Sequence, residues 1–404
     1  MTNEVSKFLQ ERIDAGDFPS AVYLVAEKGE IVMQDALGYA VVEPEKIEAR
    51  IDTIYDLASL TKVLVTGLLT AKFIESGDFQ LDGRVAIYLK EFEAEGKRMV
   101  TVSDLLTHTS HLPTWKPFYL LVSDPSEVMH EIGQTQLNFE QDPVTYSDLN
   151  FITLATLVER FAGQRFGEAA NEIMLDPLDL KNTFYSPPMD LRHRIAASEK
   201  GNEFEKQTCI EKGYLSLSAK NPVASHHPVG ETPPPLLRQE ASKSPGSDQI
   251  RTPHPAFRTE TIWGEVHDGN AYFMGGVAGH AGLFSTAEEI FKIAQQFLPN
   301  YSTLLKPETC ELFRTNFTPG MNEHRSFAFQ LASTKDSTAG KLMSPQSFGH
   351  LGFTGTSLWI DPVAERVFVL LTNRTHDHPL PFVNINSVRR RFHDLAIGQL
   401  KRNR

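Results

Sequence analysis

The sequence predicts an α+β fold in which one antiparallel sheet is assembled from both ends of the chain, with a mainly helical region inserted between them. Three observations predict it. Strand patterns open the chain, helical patterns fill the middle, and strand patterns return near the C-terminus. No stretch alternates strand and helix as a βαβ ladder would. The 404 residues, 41% hydrophobic and 22% charged, have the composition of a folded globular protein, which excludes wholesale disorder.

Taken in order, Val5, Phe8, Leu9 and Ile13 fall on one stripe of an opening amphipathic helix. Ala21–Ala26 and Ile31–Tyr39 read as strands, and Glu27-Lys28-Gly29-Glu30 supplies the hairpin turn between them. From Ser59 to Ser76, Leu60, Val63, Leu64, Gly67, Leu68 and Ala71 keep helical spacing, while Val65, Leu69 and Ile74 place apolar groups on the other faces. A helix apolar on every side is a buried one, and Gly77 ends it. Signals from 80 to 200 are mostly helical. One helix takes Ser147 as its N-cap, carries Phe151, Ile152, Leu154, Ala155, Val158 and Phe161, and stops at Gly163. Between Pro222 and Glu260 lie 8 of the 24 prolines, so this segment reads as a long surface loop, either a lid or a plain insertion. A helical pattern at Glu288–Leu298 precedes strand patterns at Phe327–Ala332, Ser347–Leu351, Ser357–Ile360 and Val367–Thr372, the last pair turned by Asp361-Pro362. A final helix spans Ile385–Leu400. The reading is a single unit over 1–404, with an α/β part from 1–78 and 285–404 and a mainly helical part at 79–284 that carries the loop 222–260.

Acidic residues outnumber Lys and Arg 51 to 39, a formal net charge of −12. A phosphate-binding surface needs a basic excess, so no nucleic acid and no anionic membrane is expected as a partner. Cys209 and Cys310 stand alone, without a disulfide framework or a C-x-x-C motif. No eighteen apolar residues run together, and no basic-then-apolar leader is visible, which predicts a cytoplasmic protein. G-x-S-x-G, Walker and G-x-G-x-x-G motifs are missing. Gln134 stands where H-E-x-x-H would need its second histidine after His130-Glu131.

Ser59-Leu60-Thr61-Lys62 opens the buried helix. At i and i+3 both side chains project on one face, so the amine reaches the hydroxyl. Burial pushes a lysine pKa down, and a lysine so depressed can act as a base toward a serine. The competing local reading is a helix-start serine with a lysine that snorkels out.

Further segments follow in order: Thr101-Val102-Ser103-Asp104-Leu105-Leu106-Thr107-His108-Thr109-Ser110, Tyr146-Ser147-Asp148, Val266-His267-Asp268-Gly269-Asn270-Ala271, Gly279-His280-Ala281-Gly282-Leu283-Phe284 and His350-Leu351-Gly352-Phe353. Together with Ser59-Leu60-Thr61-Lys62 they resemble the motifs of the serine β-lactamase and penicillin-binding-protein family, in its class C–like and esterase branch. The resemblance runs from about residue 18 to 375. It implies a β-lactamase/transpeptidase-like fold and an acyl-serine intermediate, with no cofactor. Ser59 is then the nucleophile and Lys62 takes or holds its proton. Tyr146 serves as base and acid, with a helix N-terminus and a nearby ammonium favouring its tyrosinate. The backbone N–H groups of Ser59 and Phe353 form the oxyanion hole, the second on an edge strand. Asp148, where the family often has Asn, hydrogen-bonds Lys62 or orients substrate. His350, Gly352 and Trp115 contact substrate, and Trp115 and Phe118 line an acyl pocket.

Two departures bear on substrate. The family's third motif offers a lysine and a hydroxyl to a substrate carboxylate, and here His350 and Leu351 stand in those places. Neutral histidine and donor-free leucine predict weaker carboxylate recognition. A small ester or amide becomes the expected substrate, with a β-lactam or D-alanyl peptide as the alternative. An acyltransferase or a non-catalytic binding protein on the same scaffold is the remaining rival. His111 replaces the family's usual glycine, which predicts a somewhat strained turn if φ is positive there. His267, Asp268 and His280 lack a zinc-ligand spacing and read as a hydrogen-bonded loop rather than a metal site.

Overall fold

The computed structural model describes residues 3–94, 96–215 and 257–402; the proline-rich segment 222–260 therefore lies outside it except for its last four positions. Strand β1 (Ser20–Glu27) turns into β2 (Glu30–Val41) through Lys28 and Gly29, whose φ values of 52° and 82° are the left-handed pair that a two-residue hairpin requires. After β3 (Ile47–Glu48), β4 (Tyr55–Asp56) pairs with β5 (Phe284–Ser285) in a separate two-stranded ladder. The chain returns to the main sheet as β6 (Gln330–Leu331), β7 (Phe348–Leu351), β8 (Ser357–Asp361) and β9 (Arg366–Thr372). Among the described residues this sheet runs β3-β2-β1-β9-β8-β7-β6, so the last strand docks on the first. Val22 lies opposite Leu371 and Leu24 opposite Val369.

Strand periodicity divides the core in two. Tyr23 and Val25, with Trp359, Phe368 and Leu370, meet the helices Glu4–Asp14 and Asn386–Arg402 through Leu9, Phe392 and Ile397. On the opposite face Val22, Leu24, Val369 and Leu371 meet Leu64, Leu68, Leu154, Val158, Ile290 and Ile293. Each fully buried aliphatic side chain of this kind contributes about 1.5–3 kcal/mol, so the second cluster fixes the helix that begins beside Ser59 firmly against the sheet.

The architecture matches the predicted α+β arrangement, and three local expectations change. The helix after Ser59 is π-helical over Lys62–Gly67 before it becomes an α-helix at Leu68–Ser76, which closes on Gly77 at φ 83°. Local π-helix is frequent at functional sites. The strand expected at Phe327–Ala332 contracts to Gln330–Leu331, because Ala328 at φ 66° interrupts the extended backbone. The helix Asp148–Ala162 does start after Ser147 and end at Gly163, but the Ser147 hydroxyl donates to the Pro113 carbonyl at 2.6 Å instead of capping the helix. Among the described residues no helix is long and apolar enough to cross a membrane.

Candidate active site

Ser59 stands on the short turn between β4 and the buried helix. The preceding residue, Ala58, has φ 47°, a left-handed conformation that costs a non-glycine residue about 1–2 kcal/mol. Buried Asp56 holds this turn: one carboxylate oxygen accepts from the Ala58 N–H at 2.8 Å and the other from the His267 N–H at 2.7 Å. Thr354 and Thr356, in the turn between β7 and β8, donate to the carbonyls of Asp56 and Leu57 at 2.8 and 3.0 Å. Gly352 permits that approach, since a Cβ there would fall on Thr356 Oγ1 and the Leu57 carbonyl oxygen.

Lys62 is fully buried, and its Nζ donates to Ser59 Oγ at 3.1 Å and to the His280 carbonyl at 3.0 Å. Asp148, at the start of the helix Asp148–Ala162, completes the set with an ion pair of 2.7 Å. The Lys62 ammonium also lies 4.9 Å from the centre of the Tyr146 ring. Two electrostatic expectations reverse here. Burial pushes the Lys62 amine down, as expected, but Asp148 and then Tyr146 outweigh burial and the net shift is upward. The ion pair with Asp148 therefore favours the ammonium form of Lys62. Burial likewise raises the Tyr146 phenol above its ordinary range, although Lys62 draws it partly back, so the resting side chain is a neutral phenol rather than tyrosinate. Its oxygen is buried, and the polar groups that act on it are Lys62 and Ser59.

Ser59, Tyr146 and Asp148 line a cavity of about 490 Å³ together with Trp115, His350, Gly352 and Phe353. Lys62 lies behind Ser59 and does not line it. Phe118, expected beside Trp115, is instead packed in the core, with its N–H bonded to Asn270 Oδ1 at 2.8 Å. Phe353 lies in the turn just after β7, not on the strand itself. His350 is held neutral because burial, then the charges of Arg325 and Lys62, press its pKa well below the usual value. Its Nδ1–H donates to the Leu351 carbonyl at 2.9 Å, which leaves Nε2 as an acceptor.

Sequence reasoning missed three arginines that line the same cavity, Arg325, Arg374 and Arg389. None belongs to a motif, and only burial reveals them. Arg389 grips the turn after β7, with Nη2 on the carbonyls of Gly352 and Thr356 at 2.9 Å each; burial pushes its pKa down to about 9. Arg374 donates from Nε to the Phe353 carbonyl at 2.8 Å. Arg325 pairs with Glu323 at 2.9 Å, yet its Nε and Nη1 are buried without a hydrogen-bond partner among the described residues. Glu205 and Asp268 line the wall as well. Burial and the neighbouring Asp268 raise Glu205 to about 7, while the Tyr119 hydroxyl donates to it at 2.9 Å.

The loop of His267, Asp268 and His280 is a hydrogen-bonded support. His267 Nε2 meets Glu199 at 2.8 Å and His280 Nε2 meets Asp268 at 3.0 Å. His111 does adopt φ 60°. A hydroxyl, an ammonium, a carboxylate and a buried phenol thus converge at the floor of one cavity, a constellation suited to nucleophilic attack on a carbonyl.

Comparison with known proteins agrees with the geometry. A protein of Escherichia coli (strain K12) named "Putative D-alanyl-D-alanine carboxypeptidase" is 28% identical over 400 residues, covering 93% of this chain and 82% of that one. The fold is shared with a class C β-lactamase from Rhodobacter sphaeroides, at TM-score 0.66 and 18% identity over 99% of this chain and 100% of the other. It is also shared with EstCE1, a hydrolase with promiscuous acyltransferase activity, at TM-score 0.66 and 20% identity over 97% of each chain. The family model described as Beta-lactamase matches residues 5–389, and with nearly the whole sequence accounted for in this way, the chain belongs to the β-lactamase family of serine hydrolases.

Proposed function

We propose that this serine hydrolase transfers an acyl group from a small ester or amide to Ser59 and then to water. The observation that carries the reading is the 3.1 Å contact between Lys62 Nζ and Ser59 Oγ at the cavity floor. Ser59 Oγ attacks the carbonyl carbon and its proton passes to Tyr146 in the tyrosinate form, which returns it to the leaving group. Water then repeats the attack on the acyl-serine. Lys62, held as an ammonium by Asp148, stabilises the tyrosinate oxygen and the developing charge on Ser59. The N–H groups of Ser59 and Phe353 receive the oxyanion. Trp115, His350 and Gly352 form the substrate wall. Because tyrosinate is the minor form at rest, the rate climbs as pH rises toward the elevated phenol pKa. The test is turnover of short-chain aryl esters against nitrocefin, with intact mass of the trapped acyl-enzyme. Esters turned over faster support the reading; nitrocefin hydrolysed as fast or faster would make the protein a β-lactamase.

One observation favours a second reading, in which the substrate carries a carboxylate. Arg325 is 5% exposed, lines the cavity and has two nitrogens without hydrogen-bond partners among the described residues. It supplies, from a different element, the positive charge that His350 and Leu351 do not. A C-terminal peptide carboxylate of the kind named for the E. coli relative fits such a group. On this reading Arg325→Ala raises KM for a carboxylate-bearing substrate by about 10–100-fold, the loss of one charged hydrogen bond, and leaves a matched neutral ester within about threefold. Equal effects on both substrates would remove it.

A further inference from the structure

We propose that His108 is the positioning residue for Tyr146, holding the backbone on both sides of the tyrosine and packing at a tilt against its ring. The proposal rests on the reading of Tyr146 as the proton carrier and goes beyond it. His108 ends the helix Val102–Thr107 in a left-handed conformation, φ 60° and ψ 34°, and is 1% exposed. Its carbonyl accepts from the Thr145 N–H at 2.9 Å. Its Nδ1 accepts from the Ser147 N–H at 3.1 Å, so the residues before and after Tyr146 are both tied to one histidine. The imidazole lies against the phenol ring itself, with centroids 4.6 Å apart.

These contacts fix the state of the ring as well as its place. A backbone N–H can only donate, so Nδ1 must carry a lone pair and the neutral ring carries its proton on Nε2. Asn150 Nδ2, 3.4 Å from Nδ1, is a second donor aimed at the same lone pair. Asn150 is itself set by Ser110, whose hydroxyl donates to its Oδ1 at 2.7 Å, and by the Leu105 carbonyl at 3.0 Å. The motif Thr107-His108-Thr109-Ser110 therefore works as a bracket built around one acceptor atom. Burial, then the charges of Arg325 and Lys62, disfavours protonation of the ring, which would destroy that acceptor. A displacement near 1 Å at a reacting group can lower a rate by about 100-fold, so loosening the bracket acts on kcat through Tyr146 without touching substrate.

The experiment compares His108→Asn and His108→Phe with Tyr146→Phe, using aryl-ester kinetics normalised to fluorophosphonate-titrated Ser59. Asparagine keeps an acceptor oxygen near the Nδ1 position and tolerates the left-handed backbone. Phenylalanine keeps the ring and loses the acceptor. The expected result is kcat within about fivefold of the parent for His108→Asn, and a fall of about 30–100-fold for His108→Phe with KM within about threefold. Loss of activity in both variants in proportion to lowered thermal stability would reduce His108 to a packing role and overturn the proposal. Full activity in His108→Phe would also overturn it. Should Tyr146→Phe remain active, the reading of Tyr146 fails instead, and the two failures are told apart by that third variant. If His108→Phe does not fold, the Ser147 N–H exchange rate in His108→Asn and the parent decides: protection retained supports the bracket, and protection lost with kcat unchanged refutes it.

Discussion

Ser59→Ala lowers ester turnover by about 10⁴–10⁶-fold, the scale set by removing a serine nucleophile, and abolishes covalent labelling by a fluorophosphonate. The magnitude follows from the nature of the step. Without the hydroxyl there is no acyl-enzyme, and only the oxyanion donors and cavity binding remain to accelerate direct attack by water. Stability should change little, because Ser59 is only partly buried at the cavity wall and its side chain meets Lys62 at 3.1 Å without any backbone group depending on it. The check is intact-mass labelling beside steady-state kinetics and thermal denaturation. Labelling that persists in Ser59→Ala would move the nucleophile elsewhere.

The second large effect belongs to Lys62. Lys62→Met keeps the length of the side chain and removes its charge, and the expected fall in kcat is about 10²–10⁴-fold. Two losses coincide. The Tyr146 phenol, already raised by burial, loses the ammonium that draws it down, so its reactive tyrosinate becomes rarer still. Asp148 is left as a partly buried carboxylate without its counter-ion, and breaking such a pair costs about 3–5 kcal/mol when burial is complete, less at the 15% exposure of Asp148. Asp148→Asn is the informative contrast. It removes the largest influence that raises Lys62 and one that raises Tyr146, so both groups shift downward and the whole pH–rate profile moves to lower pH. The stability arithmetic has the same sign. A lysine whose folded pKa is raised stabilises the fold below its unfolded pKa, and that stabilisation disappears as pH rises through the folded value. In Asp148→Asn the stabilisation is absent, and alkaline denaturation begins earlier. A pH–rate profile that stays in place would show that Asp148 does not control Lys62.

The antiparallel sheet drawn from both ends of the chain was legible because buried strands leave runs of Val, Leu, Ile and Phe, and because Lys28-Gly29 and Asp361-Pro362 punctuate them; the order of its strands was not. Ser59, Lys62, Tyr146 and Asp148 were legible through the resemblance of their segments to the family's motifs, and the structure brings them together. The protonation states were not. Sequence spacing places Lys62 in an apolar helix and suggests a depressed amine, but the sign depends on Asp148, which arrives from a segment 86 positions away only after folding (148 − 62). The arginines were hidden for a related reason. Arg325, Arg374 and Arg389 sit in unremarkable local sequence, and their common cavity exists only because β6, the turn after β9 and the last helix meet there. The π-helical turn at Lys62–Gly67 has no composition that separates it from an α-helix.

The pairing of β1 with β9 has a consequence for biosynthesis. Ser20 bonds to Asn373 across 353 positions, so the β1–β2 hairpin waits for its partner until the residues between them have been made. At roughly 5–20 residues per second that interval is about 20–70 s, during which Val22, Leu24 and their neighbours present an unfilled strand edge to solvent or to a chaperone. A nascent chain halted before Arg366 would keep Ser59 and Lys62 and yet never build the sheet that supports them. Termination anywhere before β9 should therefore yield insoluble protein rather than a weakened enzyme.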